Sequence, residues 1–387
     1  MLPSPLPPDF IPFNKPHLVG PELEYIRQAV AAGKLSGNGE FTQRCQQFFE
    51  QRYGIHKALL TTSGTDALEM AALLLDIKPG DEVIVPSYTF TSTANAFVLR
   101  GARIVFVDSG PEHPNLDVAQ VAARITSRTR AIVPVHYGGQ AADNFTELLA
   151  LARQHHLWVV EDAAQAIEAR YRGQALGTLG HLAAFSFHET KNVSAGEGGL
   201  LAINDPTLAA RAEILWEKGT NRAAFFRGEA ARYEWVDVGS SFLPSELNAA
   251  YLWAQLEAID LIQQRRQQLW QTYATALAPL VTAGQVRVLP TQTDSAPNWH
   301  LFGMLCRHEA ERDELLAYLR HRHILAVFHY LPLHRSPYYV SRHGNAEPLP
   351  HAERFGQTLV RLPLFQDLQP DQQQRVIDAI NEFYTTR

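Results

Sequence analysis

Cysteine occurs at only two of the 387 positions, Cys45 and Cys306. Two isolated thiols make no disulfide framework, which suits a reducing, cytoplasmic setting. None of the 16 histidines shares a metal-ligand spacing with them. His155-His156 reads as helix surface, so no metal site is expected. Basic charge is also scarce: 34 Lys and Arg against 40 Asp and Glu leave a net charge of −6. Without a basic stripe, no nucleic-acid partner is expected. Long apolar runs are missing too. Stretches such as 71–75 and 132–135 fall far short of the roughly 20 residues of a membrane helix, so no membrane partner is expected either. The opening Met1-Leu2-Pro3-Ser4-Pro5-Leu6-Pro7-Pro8 lacks the basic start and apolar run of a signal peptide. There is no internal repeat, and no G-x-G-x-x-G follows the first strand, which counts against a Rossmann-type oxidoreductase.

What is present is globular: 46% hydrophobic and 19% charged residues, in a chain longer than one core usually organises. Residues 1–10 are expected to be flexible. Pro21 opens a helix with Leu23, Ile26 and Val30 at helical spacing, and a second helix covers 41–53 with Phe48 and Phe49 on its buried face. From residue 57 apolar strands (57–62, 83–86, 103–108, 131–135, 157–160) alternate with helices (67–75, 91–99, 117–124, 145–156). That alternation predicts an α/β architecture, a mostly parallel central sheet flanked by helices. Residues 1–244 form the larger domain on this reading. A long helix over 245–277 leads into a smaller C-terminal α+β domain, 245–387.

Ligands collect beyond the carboxyl ends of the strands in such sheets. Thr62-Ser63-Gly64-Thr65, Ser87-Tyr88-Thr89-Phe90, His136-Tyr137-Gly138-Gly139 and Glu161-Asp162 all fall there. So does Ser186-Phe187-His188-Glu189-Thr190-Lys191-Asn192, which runs into Gly196-Glu197-Gly198-Gly199 between two apolar runs. A lysine between buried strands loses hydration, which favours its neutral form and frees its lone pair for imine formation. A lone loop lysine would ordinarily reach solvent instead. Gly64 and Thr65 present free N–H groups at a helix start, fit for phosphate or for an ordinary N-cap. Asp162 ends a buried strand, where a carboxylate needs a partner: a protonated pyridine nitrogen, a salt bridge or a cap. Phe90 stacks on a cofactor ring or belongs to the core. Ser186 adds a phosphate hydrogen bond or is an ordinary strand serine. Taken together, phosphate cradle, ring-nitrogen carboxylate, stacking ring and imine-forming lysine are what pyridoxal 5′-phosphate (PLP) requires.

These motifs, with Gly80-Asp81-Glu82-Val83-Ile84-Val85-Pro86 and Glu161-Asp162-Ala163-Ala164-Gln165-Ala166, resemble the sugar-nucleotide aminotransferases of the DegT/DnrJ/EryC1/StrS family from about Ile11 to the C-terminus. The resemblance is greatest to members that aminate C4 of a dTDP-linked 4-keto-6-deoxyhexose. Lys218-Gly219-Thr220-Asn221-Arg222 and the stretch 233–242 contribute to that closer match. The resemblance implies a fold type I PLP enzyme, a homodimer with shared active sites, L-glutamate as amino donor and a nucleotide-linked keto sugar as acceptor. It makes Lys191 the cofactor-bound lysine and Asp162 the partner of the ring nitrogen. Gln165 would contact the ring hydroxyl, Phe90 would stack, and Gly64, Thr65 and Ser186 would hold the phosphate. Many relatives carry an Asn-Tyr-Arg-like segment where this chain has Ser240-Ser241-Phe242-Leu243, so their asparagine contact to the phosphate across the subunit boundary does not carry over, and a serine is the candidate to replace it. His329, in Phe328-His329-Tyr330-Leu331-Pro332, is a candidate for the sugar pocket or a surface histidine in a turn. Family members that dehydrate sugars carry histidine at the lysine position, so Lys191 favours transamination. A PLP-binding regulator would be expected to carry a DNA-binding segment or a damaged constellation, and neither is visible. The nucleotide, the keto position and the stereochemistry of the amine stay open.

Overall fold

The computed structural model of the chain describes residues 7, 9–292 and 294–385. The expectation for residues 1–10 falls mostly outside them. Asp9 itself pairs with His323 and Arg375, and Ile11 is buried in a bridge to Ile324.

The strands are β1 (Lys57–Thr61), β2 (Glu82–Pro86), β3 (Arg103–Val107), β4 (Thr129–Ile132), β5 (Trp158–Asp162), the short β6 (Arg170–Tyr171) and β7 (Gln174–Ala175), β8 (Leu182–Ser186) and β9 (Gly199–Ile203). Seven of them form the central sheet in the order β1-β9-β8-β5-β4-β2-β3. Its pairs are parallel except for β9, which runs antiparallel to both β1 and β8. Successive side chains leave opposite faces and both faces are covered. Leu60, Ile84, Val159 and Leu200 join one core, and Leu59, Val83, Val160 and Leu201 join another. Two-sided burial is why these strands read as continuous apolar runs. β4 stops at Ile132, short of the expected 135, because Pro134 has no N–H to continue the ladder; Val135 keeps only a bridge to Asp162.

β10 (Arg287–Val288), β12 (Gly303–Leu305) and β13 (Leu359–Arg361) form a second sheet, while β11 (Ser295–Ala296) pairs with β6. A third core joins this sheet to the helices Ile259–Thr282 and Pro370–Thr385. The helix expected over 245–277 is two helices, Glu246–Glu257 and Ile259–Thr282, divided where Ala258 leaves helical backbone at φ −96°, ψ 9°. No Gly or Pro marks that break. The first helix, α1 (Glu22–Ala31), also differs from expectation: it buries Glu22 and Ala29 and leaves Leu23 and Val30 exposed. Glu22 is turned inward because its carboxylate accepts from the N–H groups of Val19 and Gly20 and from Gln255. α2 (Glu40–Tyr53) buries Phe49, with Phe48 half-buried.

Candidate active site

The carboxyl ends of the parallel strands open into a cavity of about 860 Å³. At its floor, α3 (Gly64–Leu74) starts directly after β1. Ser63 caps it, its Oγ accepting from the Asp66 N–H at 3.0 Å. The N–H groups of Gly64 and Thr65 have no acceptor among the described residues. Two glycines let this helix start lie against the sheet. A Cβ on Gly64 would stand 2.9 Å from the Ser186 Cβ, and one on Gly199 would stand 2.3 Å from the Ser63 carbonyl. The Thr65 hydroxyl meets that of Ser92 at 2.7 Å, and Ser186 lines the same floor. Free amides, a helix dipole and hydroxyls make an anion cradle.

Alternation at the end of β5 sends its two carboxylates to opposite sides. Glu161 turns away from the cavity and accepts from the N–H groups of Gly177, Leu179 and Gly180 and from His136. Asp162 turns toward it. One oxygen accepts from the Thr93 hydroxyl at 2.7 Å and the other from the Ala164 N–H at 3.2 Å, and Thr93 in turn touches Thr89. No cation pairs with Asp162 among the described residues, which removes the salt-bridge alternative. A buried carboxylate held only by neutral donors is set to receive a cationic group from the cavity.

Lys191 follows β8 in a tight excursion closed by Phe187 donating to Gly198, Ala195 to Phe187, and Lys191 itself to His188 through backbone groups. Burial pulls the Lys191 amine down to about 8, against the opposing pull of Asp162 and with help from Arg361. A useful fraction is therefore neutral near neutral pH. His300, bonded to Asn192 at 2.8 Å, is held neutral by burial and by the charges of Lys191 and Arg361.

Gln165 accepts from the Gly138 N–H at 2.7 Å and donates to the Tyr330 hydroxyl at 3.3 Å. Phe90 stands at the mouth, 56% exposed, with its ring 6.1 Å from that of Tyr330. His329 lines the cavity and lies 3.2 Å from the Tyr137 hydroxyl, so it is no surface histidine in a turn. Of the residues singled out from sequence, Lys191, Asp162, Gly64, Thr65, Phe90, Gln165, Ser186 and His329 come together around this cavity. Ser240 and Ser241 do not: they are exposed beside the segment 215–218. Sequence reasoning missed Ser92, His300, Tyr330 and Arg361, which also line it, and Thr93 behind Asp162. The hydroxyl run Thr91-Ser92-Thr93 was a usable signal. His300 and Arg361 had none, because only tertiary packing brings them here.

These residues fit PLP: an anion cradle with free amides, an unpaired carboxylate and a desolvated lysine share one cavity. Among the described residues, no cluster of His, Cys, Asp and Glu could hold a metal.

Residues 17–381 match the DegT/DnrJ/EryC1/StrS aminotransferase family. The chain is 37% identical over 324 residues to a pleiotropic regulatory protein of Geobacillus stearothermophilus, covering 83% of each chain. It is 32% identical over 381 residues to the spore coat polysaccharide biosynthesis protein SpsC of Bacillus subtilis, covering 96% of this chain and 97% of that one. The crystal structure of S. venezuelae DesV, solved in complex with a ketimine intermediate, superposes with a TM-score of 0.86 at 36% identity, covering 97% of this chain and 98% of that one.

Proposed function

The chain belongs to the DegT/DnrJ/EryC1/StrS aminotransferase family and is a PLP-dependent sugar aminotransferase of fold type I, and from that premise we propose its substrates. The donor is L-glutamate and the acceptor dTDP-4-dehydro-6-deoxy-D-glucose, aminated at C4 to dTDP-4-amino-4,6-dideoxy-D-galactose in the cytoplasm for a cell-surface glycan of the enterobacterial common antigen type. The observation that carries the chemistry is the desolvated Lys191 facing the same cavity as unpaired Asp162 and the bare start of α3. A relative named for polysaccharide biosynthesis supports the glycan setting.

When bound, PLP supplies an electrophilic carbon that takes up the amino nitrogen and a cationic ring that accepts the electron pair released beside it. In this reading the Gly64 and Thr65 amides and the Thr65, Ser92 and Ser186 hydroxyls hold the phosphate. Asp162, steadied by Thr93 and Ala164, keeps the proton on the ring nitrogen. Phe90 covers the ring and Gln165 contacts its hydroxyl. Lys191 is the covalent attachment, and once displaced its Nζ takes the proton from the donor's Cα and later returns one to C4 of the sugar. His329 lines the side where the sugar would lie. The working unit is a homodimer in which Ser240 and Ser241 reach the cavity of a second copy. We place the division between large and small domains after residue 244.

One alternative acceptor remains distinct: a different nucleotide-linked keto sugar (UDP-linked or 3-keto). A half-reaction separates the two. Glutamate added to the PLP-loaded protein should shift the bound chromophore to the pyridoxamine form, and the dTDP-keto sugar should restore it. Neither change is expected in Lys191→Ala. A shift without restoration would discard the sugar and keep the donor; no shift at all would discard glutamate as donor.

A further inference from the structure

His300 is 4% exposed, and every polar group it carries has a partner except one. Its N–H donates to the Asn298 Oδ1 at 3.2 Å, and its carbonyl accepts from Arg266. Its Nδ1 lies 2.8 Å from the Asn192 Oδ1. Asn192 is oriented from its other end, where Nδ2 donates to the Asn298 carbonyl at 2.8 Å. Asn298 is fixed in turn, donating to the carbonyls of Gln165 and Ile167. The Asn192 Oδ1 can only accept, so the His300 Nδ1 carries the ring proton and Nε2 carries the lone pair. Nε2 has no hydrogen-bond partner among the described residues, and His300 lines the cavity. An acceptor left bare in so buried a place is costly, and only a donor from the cavity can relieve it.

We propose that His300 is a positioning residue whose Nε2 accepts a hydrogen bond from the Lys191 Nζ once that amine is free of the cofactor. Lys191 directly precedes Asn192, the residue that orients the ring, and its charge acts on His300. A freed lysine hangs on a flexible four-carbon stem. To take a proton from one carbon and return one to another, its amine must be held in reach of both. The imidazole is suited to holding and not to storing. Burial and the charges of Lys191 and Arg361 keep it neutral, so the proton stays on Nζ and none passes to His300.

The inference rests on Lys191 as the covalent attachment, which borohydride reduction of the PLP-loaded protein and peptide mapping check separately. A label elsewhere overturns both readings. With the label on Lys191, two variants test the inference alone. His300→Asn keeps a donor where Nδ1 was and leaves nothing at Nε2; His300→Gln does the reverse. His300→Asn should keep its melting temperature and its half-saturating glutamate concentration. Its single-turnover rate of chromophore change should fall about tenfold to a hundredfold, as for a lost hydrogen bond to a charged group. His300→Gln should melt lower yet recover part of that rate. In the cofactor-free protein, the pH dependence of Lys191 acylation by acetic anhydride reads the amine directly. Its midpoint, about 8 in the wild type, should drop by about one pH unit in His300→Asn, because the ammonium loses an acceptor while Asp162 and Arg361 still act on it. If neither variant folds, crystals of the wild type loaded with pyridoxamine phosphate, where Lys191 is free, should place Nζ about 3 Å from Nε2. Rates that fall in step with melting temperature in both variants would make His300 a structural residue and overturn the proposal. So would an unchanged rate and midpoint in His300→Asn, or a separation beyond hydrogen-bond reach in the crystal. A raised half-saturation for glutamate or the sugar at an unchanged rate would give Nε2 to the substrate and overturn it as well.

Discussion

A single amine in the wrong solvent makes Lys191 both reactive and destabilising. Its pKa falls from 10.5 to about 8, so the unfolded chain binds the proton more tightly than the native one. Stability must then rise with pH between those values. The full cost, roughly 3 kcal/mol for such a shift, applies below pH 8 and vanishes above the unfolded value. In the cofactor-free protein Lys191→Met should therefore be more stable than wild type at pH 7, with the gap closing by about pH 10.5, measured by denaturant unfolding across that range. Asp162→Asn keeps its contact from Thr93 but loses the charge that, in the proposed role, pairs with the protonated ring nitrogen. It should bind PLP visibly yet turn over about tenfold to a hundredfold more slowly, as loss of a charge-assisted hydrogen bond predicts. Both residues were legible because a carboxylate ending an apolar strand, and a lysine in a short loop between two apolar strands, are anomalous on their face. Arg361 was not: Leu359-Val360-Arg361-Leu362 reads as a short strand with an outward charge, and only the second sheet turns that charge inward.

The start of α3 depends on the strand beside it. β9 runs against its neighbours and brings Gly199 under the Ser63 carbonyl. Gly199→Ala would force that carbonyl aside, costing about 1–3 kcal/mol as overpacking does, and would displace the two bare amides. The expected result is a lowered melting temperature in the cofactor-free state and a PLP affinity reduced further, read by equilibrium dialysis. Conservative Ala71→Gly, inside α3 and away from the cradle, should cost stability alone. At this scale the order of strands and helices was readable, since two-sided burial writes itself as apolar runs. The division at Ala258 and the outward turn of Leu23 were not. The first has no Gly or Pro behind it, and the second follows from the demand of two backbone N–H groups for Glu22.

Across the molecule the cavity draws on residues from Thr62 to Arg361, so neither sheet builds it alone. The described surface also leaves large apolar side chains in water, with Trp235 81%, Phe226 72% and Leu23 69% exposed. Such a surface suits burial against a second copy. Sedimentation should show a dimer, and Trp235→Glu with Phe226→Glu should shift it toward monomer while retaining the fold by circular dichroism. A monomeric wild type would remove the shared-site reading of Ser240 and Ser241. That Trp235 and Phe226 lie uncovered was not legible in the sequence, because exposure is a property of the assembled surface.

The opposed carboxylates of β5 also bear on how the gene can change. Removing codon 159 or 160 leaves two outcomes. Either Glu161 and Asp162 exchange faces, or the strand slides and carries half-buried Trp158 into the slot of buried Val159. Neither preserves the site. In a library of single-codon deletions selected for activity, this stretch should be empty, while the exposed turn at 283–284 should be well represented. Along β5 the fold can accept replaced residues and cannot accept a removed one.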